Sequence, residues 1–289
     1  MAMQGRLGQG GLETVLAGLT FPEGPRWHQG RLWFSDFYTH RVLALTPEGW
    51  AETMAHVPQQ PSGLGWRPDG TMLVVSMLDR SLMRCDKGVL TKIADLSGLA
   101  SGPCNDMVVD GVGRAYVGNF GFDRHKGEAE RPAVLVRVDL DGSVHAAADG
   151  LMFPNGAVIT PDGKRLIIGE TVGKRLTSFD IGADGGLSNR RVFWQFDDVF
   201  PDGICLDAEG GIWIADPRGH RAVRAMEGKG IVQTIPMVAG RHAFACMLGG
   251  EDRRTLYICT STASGPAMAE KRDGAIEAVR VDVPGVGLP

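Results

Sequence analysis

One pattern, written six times, constrains this chain more than anything else in it. A polar turn leads into an apolar run, a tight corner and a second apolar run. It is plainest over residues 200–216, FPDGICLDAEGGIWIAD, where Glu209-Gly210-Gly211 separates Ile204–Leu206 from residues 212–215. Two short strands joined by a hairpin satisfy that pattern. The copies begin at Pro22, Pro61, Cys104, Pro154, Pro201 and Phe244, and their second residues are Glu23, Ser62, Asn105, Asn155, Asp202 and Ala245. These second residues are spaced by 39, 43, 50, 47 and 43 positions. That period, with alternating runs and Gly corners in place of i, i+3, i+4 apolar positions, is the period of a four-stranded propeller blade.

The sequence therefore predicts an all-β fold, a six-bladed β-propeller with four-stranded blades, as a single domain over residues 1–289. Two more strand candidates follow each hairpin, such as Arg41–Leu45 and Ala51–His56 after the first, and 175–180 and 191–196 after the fourth. After the sixth copy only 275–283 remains, while the N-terminal part offers 12–19. These two are expected to pair in one blade and close the ring, which removes the exposed edges an open ring would leave. Trp27, Trp33, Trp66, Trp194 and Trp213 read as packing between blades. The third copy carries the one long insertion, residues 120–132, FGFDRHKGEAERP, which is either a solvated loop or a lid over the channel mouth.

Composition narrows the partners. Net charge is −4 with both signs interspersed, so no one-sided basic surface is expected to hold a nucleic acid. The five cysteines, Cys85, Cys104, Cys205, Cys246 and Cys259, form no C-x-x-C pair and read as reduced, buried thiols of a reducing compartment. Residues 1–11 hold no apolar leader core, and no run of about 18 apolar residues occurs. A cytoplasmic protein away from membranes, monomeric or weakly dimeric, is the expectation.

First strands of blades line a propeller's channel, so the six second residues form a ring at one end of it. Two carboxylates and two carboxamides aimed at one axis are costly to desolvate alone, and a hard divalent cation uses both kinds of oxygen. Pro68-Asp69-Gly70 and Pro161-Asp162-Gly163 sit at hairpin corners as turns, whereas Pro201-Asp202-Gly203 precedes its first strand. Register thus marks Glu23, Asn155 and Asp202 as candidate metal ligands. Asn105 is a candidate at the metal or the substrate, with Asp106 its structural neighbour. Ser62 and Ala245 are poor chelators and mark where the pocket opens for substrate.

The second strands run back to the same end and finish at Asp36, Ser76, Asn119, Glu170, Asp216 and Thr260. Asn119 is placed near bound substrate or metal, and the others as supports for the first-strand turns. The histidines, His28, His40, His56, His125, His145, His220 and His242, show no metal-like spacing. Neither a G-x-S-x-G elbow nor a phosphate-cradling Gly loop occurs, which argues against a serine hydrolase or a nucleotide enzyme.

Glu23-Gly24-Pro25-x-Trp27, Asn105-Asp106, Pro154-Asn155-Gly156 and Pro201-Asp202-Gly203, in this order, resemble the family of gluconolactonase, regucalcin (senescence marker protein) and luciferin-regenerating enzyme. The likeness runs from Phe21 to about Val281. It implies a six-bladed propeller with one divalent metal in the channel, and for many members hydrolysis of lactones. It also implies Glu23, Asn155 and Asp202 as metal ligands, with Asn105 at the metal or substrate. Sugar-lactone members usually carry Arg two residues before that Asn, where this chain has Pro103. The expected substrate is accordingly a lactone or ester less hydroxylated than an aldonolactone.

The expected reaction is metal-assisted ring opening. The cation polarises the carbonyl and holds the oxyanion, a water attacks, and Asn105, Asn119 and Ser62 face the substrate. Two roles are open to Asp202, general base for the water or ligand alone, since a carboxylate on a cation is a weak base. A metal-dependent esterase or phosphotriesterase on the same site, and a non-catalytic calcium- or ligand-binding propeller, are the alternatives. Oxygen ligands suit Ca²⁺ first, then Mg²⁺ or Mn²⁺, and a site completed by water also admits Zn²⁺ or Fe²⁺.

Overall fold

The computed structural model describes residues 11–46 and 48–288. The expectation of no apolar leader falls largely on residues 1–10, outside the described residues, and the side chain of His125 is outside them too. Six antiparallel four-stranded sheets are arranged as a six-bladed β-propeller. Blade 1 holds Pro22–His28, Arg31–Asp36, Arg41–Leu45 and Ala51–His56, and blade 2 Pro61–Trp66, Met72–Ser76, Ser81–Asp86 and Val89–Asp95. Blade 3 holds Cys104–Val109, Ala115–Asn119, Ala133–Val138 and Val144–Leu151, and blade 4 Pro154–Ile159, Arg165–Glu170, Arg175–Ile181 and Leu187–Gln195. Blade 5 holds Ile204–Leu206, Ile212–Asp216, Arg221–Met226 and Gly230–Pro236. Blade 6 is built from His242–Gly249, Thr255–Ser261, Gly274–Arg280 and, as its outer strand, Glu13–Leu19.

Closure by the two chain ends follows the expectation, with Glu13 opposite Ala278 and Leu19 opposite Gly274. The last C-terminal strand stops at Arg280, short of the 283 expected, where the chain turns off at Pro284. The expectation of one long insertion is corrected. Besides residues 120–132, residues 262–273 of blade 6 form a second, with the short helix Met268–Lys271.

Packing lies between the faces of adjacent blades. Trp27 of blade 1 stacks on Tyr257 of blade 6 with centroids 5.8 Å apart, and Trp33 meets Trp66 of blade 2 edge-on at 5.2 Å. Trp213, Tyr116 and Phe34 are fully buried, and each such side chain contributes about 2 kcal/mol or more by leaving water. All five cysteines are free and buried, and burial pushes the Cys246 and Cys259 thiols well above their usual range.

The feature that positions the site is a repeated β-bulge. Register slips by one residue between Glu23 and Arg26, Pro61 and Leu64, Cys104 and Met107, and Pro154 and Ala157. Each slip falls on or beside the ring residue, and a bulge re-aims a side chain out of the ladder. In blade 5 the ladder starts only at Ile204, so Asp202 precedes it.

The bulges are crowded. A Cβ on Gly156 would lie 2.5 Å from Ile204 N and 2.8 Å from Asp202 O, and one on Gly63 would lie 2.4 Å from Met107 N. Backbone of neighbouring blades therefore occupies the space where a side chain would be. Gly156→Ala should cost about 1–3 kcal/mol by overpacking, read as a lowered midpoint in denaturant unfolding.

Candidate active site

At the end of the channel where the bulges lie, a cavity of about 360 Å³ is lined by Glu23, Asn105, Asn155 and Asp202 among others. These four come from blades 1, 3, 4 and 5 and are 4–9% exposed. The structure thus brings together the two acids and two amides that register singled out. Asn155 Nδ2 donates to Asp202 Oδ1 and to Thr171 Oγ1, the latter at 3.1 Å. Thr171 is held in turn by donating to the Pro201 carbonyl at 2.6 Å. Gly24 N donates to Glu23 Oε2 at 3.0 Å. Among the described residues, Glu23 Oε1, Asn155 Oδ1 and Asp202 Oδ2 receive no hydrogen bond.

Burial of the acids is not offset by a basic partner. Desolvation, followed by the charge of Asp202, raises the Glu23 pKa well above the carboxylate range. Desolvation likewise pushes Asp202 up to about 8, against the hydrogen bond from Asn155 and the charge of Arg124. The nearby Asp106 is already paired, with Arg26 Nη2 2.5 Å from its Oδ1 and both side chains buried.

Ser62 and Asn119 lie elsewhere than at the cavity surface. Ser62 is 2% exposed and donates through Oγ to Asn105 Oδ1 at 3.2 Å, standing behind the amide instead of lining the cavity. Asn119, expected beside substrate or metal, is fully buried and spent on backbone of the 120–132 loop and of the strand that follows it. Its Nδ2 donates to Val134 O at 2.7 Å and its Oδ1 accepts from Gly121 N at 3.0 Å. Ala245 is buried where Gly203 closes up against it.

Three of the other second-strand ends hold the turns in front of the ring. Asp36 Oδ1 accepts from Thr20 N and Phe21 N, Glu170 Oε2 from Met152 N, and Asp216 Oδ1 from Phe200 N.

Several lining residues had no place in the sequence reading. Phe21, Phe153 and Phe200 precede the ring residues Glu23, Asn155 and Asp202 by two positions, and a repeated Phe-Pro was the available signal. Phe120, Phe122, Arg124 and Glu130 bring the long loop into the cavity wall, and Ala263 to Gly265 bring the second insertion. His242 also lines the cavity, with Nδ1 2.6 Å from the Pro217 carbonyl.

A propeller carrying buried acids and amides at one channel mouth defines a class of small-molecule site, and comparison with known proteins places the chain within it. The family model described as "SMP-30/Gluconolactonase/LRE-like region" matches residues 21–262, and the chain belongs to that family. A 6-deoxy-6-sulfogluconolactonase of Pseudomonas putida is 26% identical over 277 residues, 92% of this chain and 93% of that protein. A pentonolactonase of Haloferax volcanii is 27% identical over 281 residues, 92% of each chain. Among solved structures, a calcium-binding protein, regucalcin, of Agrobacterium tumefaciens superposes with a TM-score of 0.78 at 23% identity, covering 95% of this chain and 96% of that one.

The pH dependence of folding follows from the raised acids. In the cation-free chain both keep protons that the unfolded chain has released, so stability falls as pH climbs from about 4, the unfolded carboxylate value, toward about 8, where Asp202 titrates in the folded chain. Thermal midpoints of chelator-treated protein should decline across that window, and Asp202→Asn should lessen the slope.

Proposed function

We propose that the protein is a lactonase that opens a cyclic ester with a divalent cation held by Glu23, Asn155 and Asp202, while Asn105 orients the reacting carbonyl. The observation that carries this reading is the convergence of two buried carboxylates and an undonated amide oxygen on one cavity floor. Family membership and the lactonases among the relatives supply the reaction type. The donor set fits a hard cation: three oxygens without hydrogen-bond donors, two of them on buried carboxylates and one on a carboxamide. Ca²⁺ is our first assignment, in keeping with the calcium-binding neighbour. When bound, the cation would polarise the ester carbonyl and stabilise charge developing on its oxygen.

The chain's own residues supply the rest. Ser62 occupies Asn105 Oδ1, which leaves the Nδ2 group to donate to the carbonyl oxygen as it becomes an oxyanion. Asn155 fixes one oxygen of Asp202 by its hydrogen bond, and Thr171 fixes Asn155. Asp202 takes the proton of the attacking water and returns it to the ring oxygen as the C–O bond breaks, which balances the hydrolysis. Bulges hold Glu23, Asn105 and Asn155 on rigid first strands, and Asp202 is tied just ahead of its strand by its N–H donating to Ala215 O at 3.0 Å, so little reorganisation accompanies the reaction.

Asp202→Ala, Glu23→Gln and Asn155→Ala should each abolish lactone turnover while the β circular dichroism is kept. Chelation should do the same, and re-addition of Ca²⁺, Mn²⁺ or Zn²⁺ should identify the working metal. Undiminished turnover in the chelated protein would refute the metal role. Asn105→Ala should lower kcat by about a hundredfold, the usual loss for one oxyanion donor. Ser62→Ala should lower it by about tenfold, acting only through Asn105.

A further inference from the structure

Above its polar floor the cavity changes character twice. Phe21, Phe37, Phe120, Phe122, Phe153 and Phe244, each 5–8% exposed, form one apolar collar. Its rings touch across blades, with centroids of Phe21 and Phe244 4.6 Å apart and those of Phe120 and Phe153 4.4 Å apart. Two of the polar groups between these rings are engaged with the protein. Thr171 Oγ1 is shared between Pro201 O and Asn155, and Gln60 Nε2 lies 3.1 Å from Met77 Sδ. A polyhydroxylated substrate would thus leave water for ring faces, and each unpaired hydroxyl would lower its affinity.

Beyond the collar the lining is charged. Arg124 and Arg218 line the mouth and are exposed. The Arg218 guanidinium lies 4.2 Å from the centroid of the Phe200 ring, and no carboxylate pairs with either arginine among the described residues. Glu130 is the one carboxylate at this level of the lining. With a divalent cation offsetting Glu23 and Asp202, two guanidiniums face one acid. That surplus suits one anionic group on the substrate, and an Arg stacked on a ring is pre-oriented for it.

We infer that the substrate is an amphipathic lactone: the cyclic ester at the floor, an apolar ring or short alkyl body within the collar, and a carboxylate at the far end held by Arg124 and Arg218. This rests on the lactonase reading. A volume of about 360 Å³ accommodates such a two-part molecule. The collar selects against polyols by leaving their hydroxyls unpaired, and the mouth selects for the anion by charge.

Three lactones presented to the cation-loaded protein test this: D-glucono-1,5-lactone, 5-phenyl-δ-valerolactone, and the same phenyl lactone with a para-carboxylate. The kcat/KM should rise in that order, by about tenfold at each step, which corresponds to one buried ring and one charge-assisted contact. Raised ionic strength should erode only the second step. Arg218→Gln should cost the carboxylated lactone more than the neutral one, and Phe122→Ala should cost both aryl lactones more than the gluconolactone. Fastest turnover of the gluconolactone, or no gain from the carboxylate, would overturn this inference and leave the lactonase reading standing. No turnover of any of the three would overturn both.

Discussion

Everything at the working end of this molecule depends on how tightly six first strands converge on the propeller axis. Backbone of one blade sits where a Cβ of the next would be, at Gly63 and Gly156 above all. Strands so crowded do not all stay in regular register, and in blades 1 to 4 the extra residue taken up appears as a bulge at the ring position. The same crowding that closes the fold therefore aims Glu23, Asn105 and Asn155 into the cavity. Arg26 shows how firmly the strands are joined. From blade 1 its guanidinium donates to Leu64 O of blade 2 and to Met107 O and Asp106 of blade 3.

Charge is the second consequence of convergence. Holding Glu23 and Asp202 on one buried floor is unfavourable by desolvation and, for Glu23, by the charge of Asp202 as well. Local hydrogen bonding relieves this in part, through Gly24 N and Asn155 Nδ2. What is left over is the unrelieved charge that the proposed cation would offset. By contrast Asp36, Glu170 and Asp216 are buried acids of a structural kind. Each accepts from backbone N–H groups of the turn before the ring, Glu170 from Met152 alone, with Arg175 pairing to Glu170 and Arg221 to Asp216.

Much of this was legible in the residues because a repeat carries its own register. Aligning six copies separated Asp202, ahead of a first strand, from Asp69 and Asp162 at hairpin corners, although all three lie in Pro-Asp-Gly. Ring closure by the terminal strands was likewise legible, since one strand was left over at each end. Asn119 and Ser62 were less so. Register places them at the right end of the right strands, but which way an amide or hydroxyl turns depends on its backbone partners. Those are Gly121 N and Val134 O for Asn119, and the neighbouring amide for Ser62. The aromatic collar left a trace in the repeated Phe-Pro before Glu23, Asn155 and Asp202. Its members Phe37 and Phe122 lie outside that pattern, and only the fold gathers them.

The sequence by itself determined the number of blades, the closing strands and the four polar residues of the floor, because period and register are properties of the chain written in order. The tertiary structure alone decided which of the polar residues at the channel mouth keep an oxygen free for a ligand and which are consumed by backbone. It also decided that the blade 3 insertion walls the cavity with Phe120, Phe122 and Arg124, the blade 6 insertion with Ala263 to Gly265, and the turn after Asp216 with Arg218. Hydrogen-bond partners and cavity walls arise between blades far apart in the chain, and no local pattern encodes a distance across the axis.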